Sequence, residues 1–239
     1  MPSSGSSSRP TVLITGITGA ARCVARAVAL DLGRAGWQVC VHGSRSVEEA
    51  LQLAADIRSF GAPAVAVADD PGSPVDAARI VAQCRETLGA PVCLVNATCE
   101  AHADSVATLT GESWAANFDI HLKVPVFLAR AMFLDLPEGE IGNVINIIDR
   151  RVRGQRSEFL SYTLAQDGLW AATQALAVAL APRVRVNAIA LSPDGTGAAT
   201  GAPADDAVPM PGAIAEAVRF ILEAPSLTGQ LIALGRGEG

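Results

Sequence analysis

The chain has 239 residues, of which 50% are hydrophobic and 18% are charged, enough apolar material for one well-buried domain. Its formal net charge of −6 provides no basic face for a phosphate backbone, so no nucleic acid is expected as a partner. The five cysteines and three histidines show no metal-ligand spacing, which predicts reduced thiols and no metal site.

The N-terminus and the longest apolar stretch favour neither secretion nor membrane insertion. Residues 1–10 are rich in Ser and Gly and lack the apolar region of a secretory signal, so we expect a disordered leader and a cytoplasmic protein. The longest nearly apolar stretch, Gly168–Ala181, is shorter than the ~18 residues of a membrane span. Residues 11–239 are predicted to form a single domain, and no membrane partner is expected.

Short β-branched runs alternate along the chain with longer segments whose apolar residues recur every three or four positions. The predicted strands are Thr11–Thr15, Gln38–His42, Ala64–Ala68, Pro91–Asn96, Asn143–Ile148, Arg183–Ala190 and Gln230–Ala233. The predicted helices are Cys23–Ala35, Val47–Phe60, Val75–Leu88, Trp114–Leu134, Tyr162–Ala181 and Ala213–Glu223. This alternation predicts an α/β fold, a doubly wound Rossmann-type parallel sheet with helices on both faces. Functional residues are then expected in the loops that follow the strands.

Four short stretches carry a resemblance to a known family. They are Leu160–Ala165 at the start of a helix, Val186–Ile189 on a strand, Leu94–Asn96 at the end of another strand, and the closing Ser226–Gln230. In this order and at these separations the chain resembles the short-chain dehydrogenase/reductase family, and within it the pteridine-reductase-like members. The resemblance implies reduction of a dihydropterin-like small molecule by NADPH.

A tandem Ile-Thr-Gly at residues 14–19 lies at the first strand-to-helix turn, where glycines let the backbone approach the pyrophosphate of a dinucleotide. The second copy, Thr18 and Gly19, aligns best with the family's glycine motif. Arg22 then falls in the variable part of the motif, and Cys23 takes the place of its second glycine without supplying a positive charge. The resemblance therefore implies a weakened phosphate site, and the alternative is an ordinary strand-to-helix connection.

The turn after the second predicted strand resembles the His-x-x-Arg-Ser run with which these reductases hold the 2′-phosphate of NADPH. Ser44, Arg45 and Ser46 supply the guanidinium and hydroxyl groups that suit a phosphate. No acidic residue ends that strand to favour NAD, so any cofactor is expected to be NADP(H); a surface arginine in a polar loop is the alternative. The resemblance also assigns two more residues to the cofactor site. Asp69 follows the third predicted strand, and Asn96 ends the fourth.

The resemblance implies that Tyr162 donates a proton to the substrate and that Asp149 assists it. A tyrosine has a pKa near ~10, so the family places a lysine one helical turn later, whose charge favours the phenolate. In this chain that residue is Gln166, which carries no charge. His121 aligns with the family's helix asparagine and is a candidate acid–base group, although a lone histidine on a helix is more often an ordinary packed residue.

Other departures fall in the substrate region. The pterin-stacking phenylalanine of the family aligns with Ala101, and the substrate lid with the Ala-, Gly- and Pro-rich segment 192–212. We therefore predict a pteridine-reductase-like protein of impaired or absent activity that acts as a binding or structural subunit. It is expected in a homo-oligomer or with an active paralogue. One alternative is a working NADPH-dependent oxidoreductase, and another is a nicotinamide-independent isomerase or dehydratase in the same cleft.

Overall fold

The computed structural model describes residues 9–17, 22–43, 47–98, 100–149, 157–191 and 211–234, apart from the side chains of Arg22 and Pro211. Within these residues one sheet is formed by the strands β1 Thr11–Ile14, β2 Gln38–His42, β3 Ala64–Val67, β4 Cys93–Asn96, β5 Gly142–Asp149, β6 Val184–Leu191 and β7 Leu231–Leu234. Every predicted strand is confirmed, with ends that differ by at most two residues.

The strands are parallel and lie in the order β3-β2-β1-β4-β5-β6-β7. The chain thus builds the sheet outward from β1 in one direction and then returns to build it outward from β4 in the other. A ligand crevice is expected where two neighbouring strands lead to opposite faces of the sheet, which is between β1 and β4. The predicted doubly wound architecture is confirmed.

Helices cover both faces of the sheet. Along the chain they are α1 Arg22–Arg34, α2 Val47–Ser59, α3 Pro74–Leu88, α4 Gly111–Phe118, α5 Val124–Asp135, α6 Leu160–Ala179 and α7 Pro211–Glu223. Two begin at capping residues visible in the sequence: the hydroxyl of Ser73 accepts from the Asp76 N–H, and Thr110 forms a capping box with Ser113. No helix in the described part of the chain is long and apolar enough to cross a bilayer.

The predicted helix over Trp114–Leu134 is present, but it is not α-helical throughout. The structure has α4, then a five-residue π-helical turn at Asp119–Lys123, and then α5. In this turn the N–H of Val124 donates to the carbonyl of Asp119, five residues earlier. Pro125 has no N–H to offer the carbonyl of His121, so the regular ladder cannot continue through this point.

Successive residues of a strand point to opposite faces, and the core is accordingly divided into two layers. Val12 and Ile14 pack with α1, α2 and α7 on one face, whereas Leu13 packs with α3, α5 and α6 on the other. Each such side chain, fully buried, contributes roughly 1.5–3 kcal/mol to folding. Because both faces are dry, all eight residues of β5 are buried, which carries Asp149 to the carboxyl edge inside the protein.

Candidate active site

The carboxyl end of β5 and the first turn of α6 bring two predicted catalytic residues together. Asp149 ends β5 and is 2% exposed, and Tyr162 is the third residue of α6 and is 4% exposed. The Tyr162 hydroxyl donates to Oδ2 of Asp149 over 3.0 Å. The pair is therefore shielded from bulk water, and it places a phenol proton beside a carboxylate.

The π-helical turn directs His121 to the same place. The imidazole is 1% exposed and meets the Tyr162 ring edge-on, with 4.9 Å between ring centroids and an interplanar angle of 88°. Single π-helical turns within α-helices occur often at functional sites, because they turn one side chain out of the regular helical spacing. The sequence named His121 as a candidate, but only the structure shows that it lies against Tyr162.

Gln166, one helical turn after Tyr162, is fully buried and uses both ends of its amide. Its Oε1 accepts from the backbone N–H of Asp149 over 3.2 Å, and its Nε2 lies 3.4 Å from Nδ1 of His121. The other imidazole nitrogen, Nε2, lies 2.8 Å from the carbonyl of Glu100. A neutral chain thus runs from β5 through α6 and the π-helical turn to the segment after β4.

The two ends of this chain fix the direction of every hydrogen bond in it. The backbone N–H of Asp149 can only donate, and the carbonyl of Glu100 can only accept. The Gln166 amide therefore donates to Nδ1 of His121, which must be unprotonated, and the proton of the imidazole is on Nε2. Burial lowers the pKa of His121, and hydrogen bonds to the carbonyls of Glu100 and Thr98 oppose that effect only in part. His121 is accordingly neutral at physiological pH.

Sequence reasoning missed a second buried network beside the first turn of α6. Asp104, in the segment between β4 and α4, accepts from the backbone N–H and the hydroxyl of Ser161. Asn117 of α4 donates to the same hydroxyl over 2.7 Å. The sequence holds one local sign of this network. Phe159 occupies the N-cap position of α6, and its side chain cannot cap the helix.

Asn96, predicted to bind cofactor, is directed into the sheet. Its amide donates to Oδ1 of Asn146 over 2.8 Å, and Asn146 donates to the hydroxyl of Thr173 on α6 over 2.9 Å. The Oδ1 atom of Asn96 is buried and has no hydrogen-bond partner among the described residues. The structure therefore places Asn96 in a chain of buried polar side chains that joins β4, β5 and α6.

At the first strand-to-helix turn the structure describes Gly16, which lies outside the aligned glycine motif. Its φ of +84° belongs to the left-handed region, and a Cβ built on it would overlap the backbone of Ala97 and Thr98. A glycine is thus required where β1 and β4 end side by side. Cys23, the second residue of α1, is partly buried and packs against the core.

Asp69 lies beyond β3, where its carbonyl is 2.8 Å from Nε2 of His42. Its carboxylate accepts from Arg79 over 3.3 Å and from Gln83 over 3.1 Å, both on α3. One bond to each oxygen leaves capacity for a further donor. The other residues expected to hold the cofactor lie outside the described residues, or have a side chain that does: Thr18, Gly19, Arg22, Ser44, Arg45 and Ser46.

The described residues fit a dinucleotide at one end and not at the other. The glycine turn at Gly16 and the carboxylate of Asp69 suit the pyrophosphate and adenine end. At the nicotinamide end, the family's lysine is replaced by Gln166, whose amide is bonded to Asp149 and His121. That amide offers no charge, and one of its two N–H groups is used by His121.

Residues 12–206 match the family model of the short chain dehydrogenases. The chain belongs to this family. A solved structure of FolM alternative dihydrofolate reductase 1 from Brucella canis, complexed with NADP, is 37% identical and has a TM-score of 0.83, covering 95% of this chain and 93% of that one. The Brucella suis protein, also in complex with NADP, is 38% identical with a TM-score of 0.82, covering 94% of this chain and 93% of that one.

The match to curated relatives is shorter. Human dehydrogenase/reductase SDR family member 4 is 28% identical over 166 residues, which cover 69% of this chain and 59% of the human protein's length. The fold is thus that of a short-chain oxidoreductase, as the sequence resemblance implied, with solved neighbours of the pteridine-reductase-like type.

Proposed function

We propose that this protein binds NADP(H) in a short-chain dehydrogenase cleft and is impaired as a reductase, acting mainly as a binding or structural subunit. One observation carries the proposal. The fully buried amide of Gln166 is bonded to the backbone of Asp149 and to His121, so the lysine position supplies no charge.

The missing charge bears on Tyr162 as an acid–base group. A cation within about 4–6 Å favours the ionised form of a phenol, and one unit of pKa is worth about 1.4 kcal/mol. The contacts of Tyr162 include a hydrogen bond to Asp149 and ring contacts with His121 and Phe159. Gln166 supplies no charge that would favour the phenolate of Tyr162.

Binding of NADP(H) is supported by the Brucella neighbours, both of which were solved with NADP. In this chain Thr18, Gly19 and Arg22 would meet the pyrophosphate, and Asp69 the adenine. The three residues Ser44, Arg45 and Ser46 would hold the 2′-phosphate. The bound nicotinamide would supply a hydride, while Tyr162 and Asp149 would hold the proton that the substrate receives.

A working reductase that acts on a dihydropterin-like or carbonyl substrate is the second candidate. The 3.0 Å hydrogen bond from Tyr162 to Asp149 favours it, since reduction consumes a proton that this pair holds in place. An isomerase or dehydratase without nicotinamide has less support. It would use His121, Asp149 and Tyr162, and both nitrogens of His121 are occupied by neighbouring groups.

We also propose that the subunit self-associates, or pairs with an active paralogue, through α6. Four exposed residues at heptad spacing form an apolar stripe along this helix: Leu164, Ala171, Ala175 and Val178. Leu164 is 42% exposed and Val178 is 81% exposed. A second helix packed on this stripe would remove both side chains from water.

A titration of the purified protein with NADPH, followed by fluorescence, tests the cofactor, and dihydropterin turnover tests the impairment. We expect saturable binding with slow turnover. The substitution Gln166→Lys should raise turnover about tenfold or more, because restoring a charge that shifts the tyrosine by one pKa unit is worth about 1.4 kcal/mol. The double variant His121→Asn/Gln166→Lys restores both family residues, in case a lone lysine is not accommodated.

The control is Gln174→Lys, the same chemical change on the same helix at an exposed position. It should leave turnover unchanged. Absence of binding at millimolar NADPH would contradict the cofactor assignment. Rapid turnover by the unsubstituted protein, with no gain in Gln166→Lys, would contradict the impairment and favour the working reductase; loss of that turnover in Tyr162→Phe would then identify Tyr162 as its proton donor.

A further inference from the structure

Helix α6 has no side-chain cap of its own, although its first turn carries Tyr162. Phe159 occupies the N-cap position with φ −138° and ψ 50°, and its side chain makes no capping hydrogen bond. The first N–H groups of a helix lack partners within the helix, and an uncapped helix of this kind is prone to fray. Phe159 therefore does not supply the hydrogen-bond acceptors that the first turn of α6 needs.

Asp104 supplies the missing acceptors from another part of the chain. Its backbone carbonyl accepts from the Leu160 N–H over 3.1 Å, and its carboxylate accepts from the Ser161 N–H over 2.9 Å and from the Ser161 hydroxyl. Its own N–H donates to the carbonyl of Glu158 over 2.9 Å, and it forms an isolated parallel bridge with Phe159. Four hydrogen bonds thus join one residue to the start of α6.

The carboxylate is buried but charged. Asp104 is 2% exposed, and burial by itself raises the pKa of a carboxyl group. Hydrogen bonds from Ser161, Ser113 and the Leu160 N–H outweigh the burial, so the pKa of Asp104 lies below its ordinary value. A charged acceptor also interacts favourably with the positive end of the helix dipole.

We infer that Asp104 is a positioning residue for Tyr162, because it caps the helix that carries Tyr162 from another part of the same chain. Tyr162 directly follows Ser161, so the backbone that sets the direction of the phenol is the backbone that Asp104 holds. At the other end of the side chain the hydroxyl is bonded to Asp149. Asn117 of α4 fixes the Ser161 hydroxyl as well, and its own amide is held by the backbone of His102.

The positioning role of Asp104 rests on the proposed function of Tyr162, but the test of that role does not need catalytic turnover. Tyr162 is the only tyrosine of the chain, so protein made with ¹³Cζ-labelled tyrosine gives one resonance that reports its environment. In full-length Asp104→Ala we expect this resonance to shift or broaden. We also expect amide exchange at Leu160 and Ser161 to accelerate about fivefold to tenfold, the effect of losing a helix cap. Asp104→Asn keeps an acceptor oxygen and should give an intermediate result.

The matched control is Ser73→Ala, which removes the cap of α3, a helix that carries no proposed catalytic residue. It should accelerate exchange in the first turn of α3 and leave the tyrosine resonance in place. If Asp104→Ala folds and its tyrosine resonance superimposes on that of the unsubstituted protein, Asp104 does not position Tyr162. If Asp104→Ala does not fold, an unchanged resonance in Asp104→Asn overturns the inference in the same way. Failure of the proposed function would instead appear as no NADPH binding, or as rapid turnover by the unsubstituted protein with no gain in Gln166→Lys.

Discussion

A glutamine amide has one donating end and one accepting end, and Gln166 uses both inside the protein. The sequence predicted the loss of charge at this position, because a glutamine stands where the family has a lysine. It did not predict that the amide joins Asp149 to His121. At the scale of single residues the site is therefore a set of mutually bonded neutral groups around the Tyr162–Asp149 pair.

The tautomer of His121 is a prediction at this scale. The chain of hydrogen bonds requires a proton on Nε2 and none on Nδ1, and burial lowers the pKa of the imidazole. Nitrogen-15 spectra, assigned by loss of the signal in His121→Asn, should show the neutral Nε2–H form at neutral pH. The ring should protonate only below the ordinary value of about 6.5.

The lowered pKa of His121 makes the folded protein less stable as the pH falls. Below about pH 6.5 the unfolded chain binds a proton at His121 that the folded protein does not bind, so the free energy of unfolding falls as the pH falls. The loss should continue until the pH reaches the lowered pKa of the folded state, and it should be smaller in His121→Asn. A signal from the Nδ1–H tautomer, or protonation at the ordinary pH, would contradict this arrangement.

At the scale of secondary structure, three local features shape the site: the π-helical turn before α5, the cap of α6 supplied by Asp104, and the close approach of β1 and β4. The π-helical turn coincides with Pro125, whereas the other two features depend on contacts between segments far apart in sequence. Gly16 touches the backbone at Ala97 and Thr98, and Asp104 touches Ser161. Helical periodicity predicted that these helices exist, but it carries no information on such contacts.

Gly16→Ala should destabilise the protein more than Gly36→Ala does. Both glycines have a positive φ, of +84° and +92°, but a Cβ on Gly36 meets no atom within 4 Å whereas one on Gly16 overlaps the Ala97 backbone. Strain from φ alone costs about 1–3 kcal/mol, so Gly36→Ala measures that part. Urea unfolding of both variants gives the difference, and equal losses would show that the backbones of β1 and β4 separate easily.

At the scale of the whole molecule, the strand order places the carboxyl ends of β1, β4 and β5 along one edge, with the proposed cofactor site and the Tyr162–Asp149 pair on it. The sheet and its two apolar layers follow from patterns along the entire chain, and they tolerate single changes at the site. Because the fold depends on the whole pattern, the chain can keep the fold of its family while Gln166 stands where the family has a lysine.

Self-association through α6 is the prediction at this scale. Val178→Asp puts a charge at the most exposed apolar position of the α6 stripe and should convert an oligomer into smaller species in light scattering. Val75→Asp is the control, because Val75 is 71% exposed on α3, outside the stripe. An oligomer unaffected by Val178→Asp, or a monomeric unsubstituted protein, would exclude this interface for self-association.

The sequence by itself determined the elements of the fold and the family, because periods of two and about three and a half residues and the order of short motifs are local properties. It also named Tyr162, Asp149, Gln166 and His121 by alignment of those motifs. It predicted one helix over 114–134 and did not anticipate the π-helical turn within it, next to Pro125, which lacks an N–H.

Only the tertiary structure decided how these residues interact. The direction of each hydrogen bond around His121 depends on Asp149 and Glu100, which lie on other segments. The cap of α6 depends on Asp104, 57 positions before Ser161. Hydrogen bonds are short and directional, so they are set by the positions of atoms that folding brings together, whereas burial depends on a pattern that can be read along the chain.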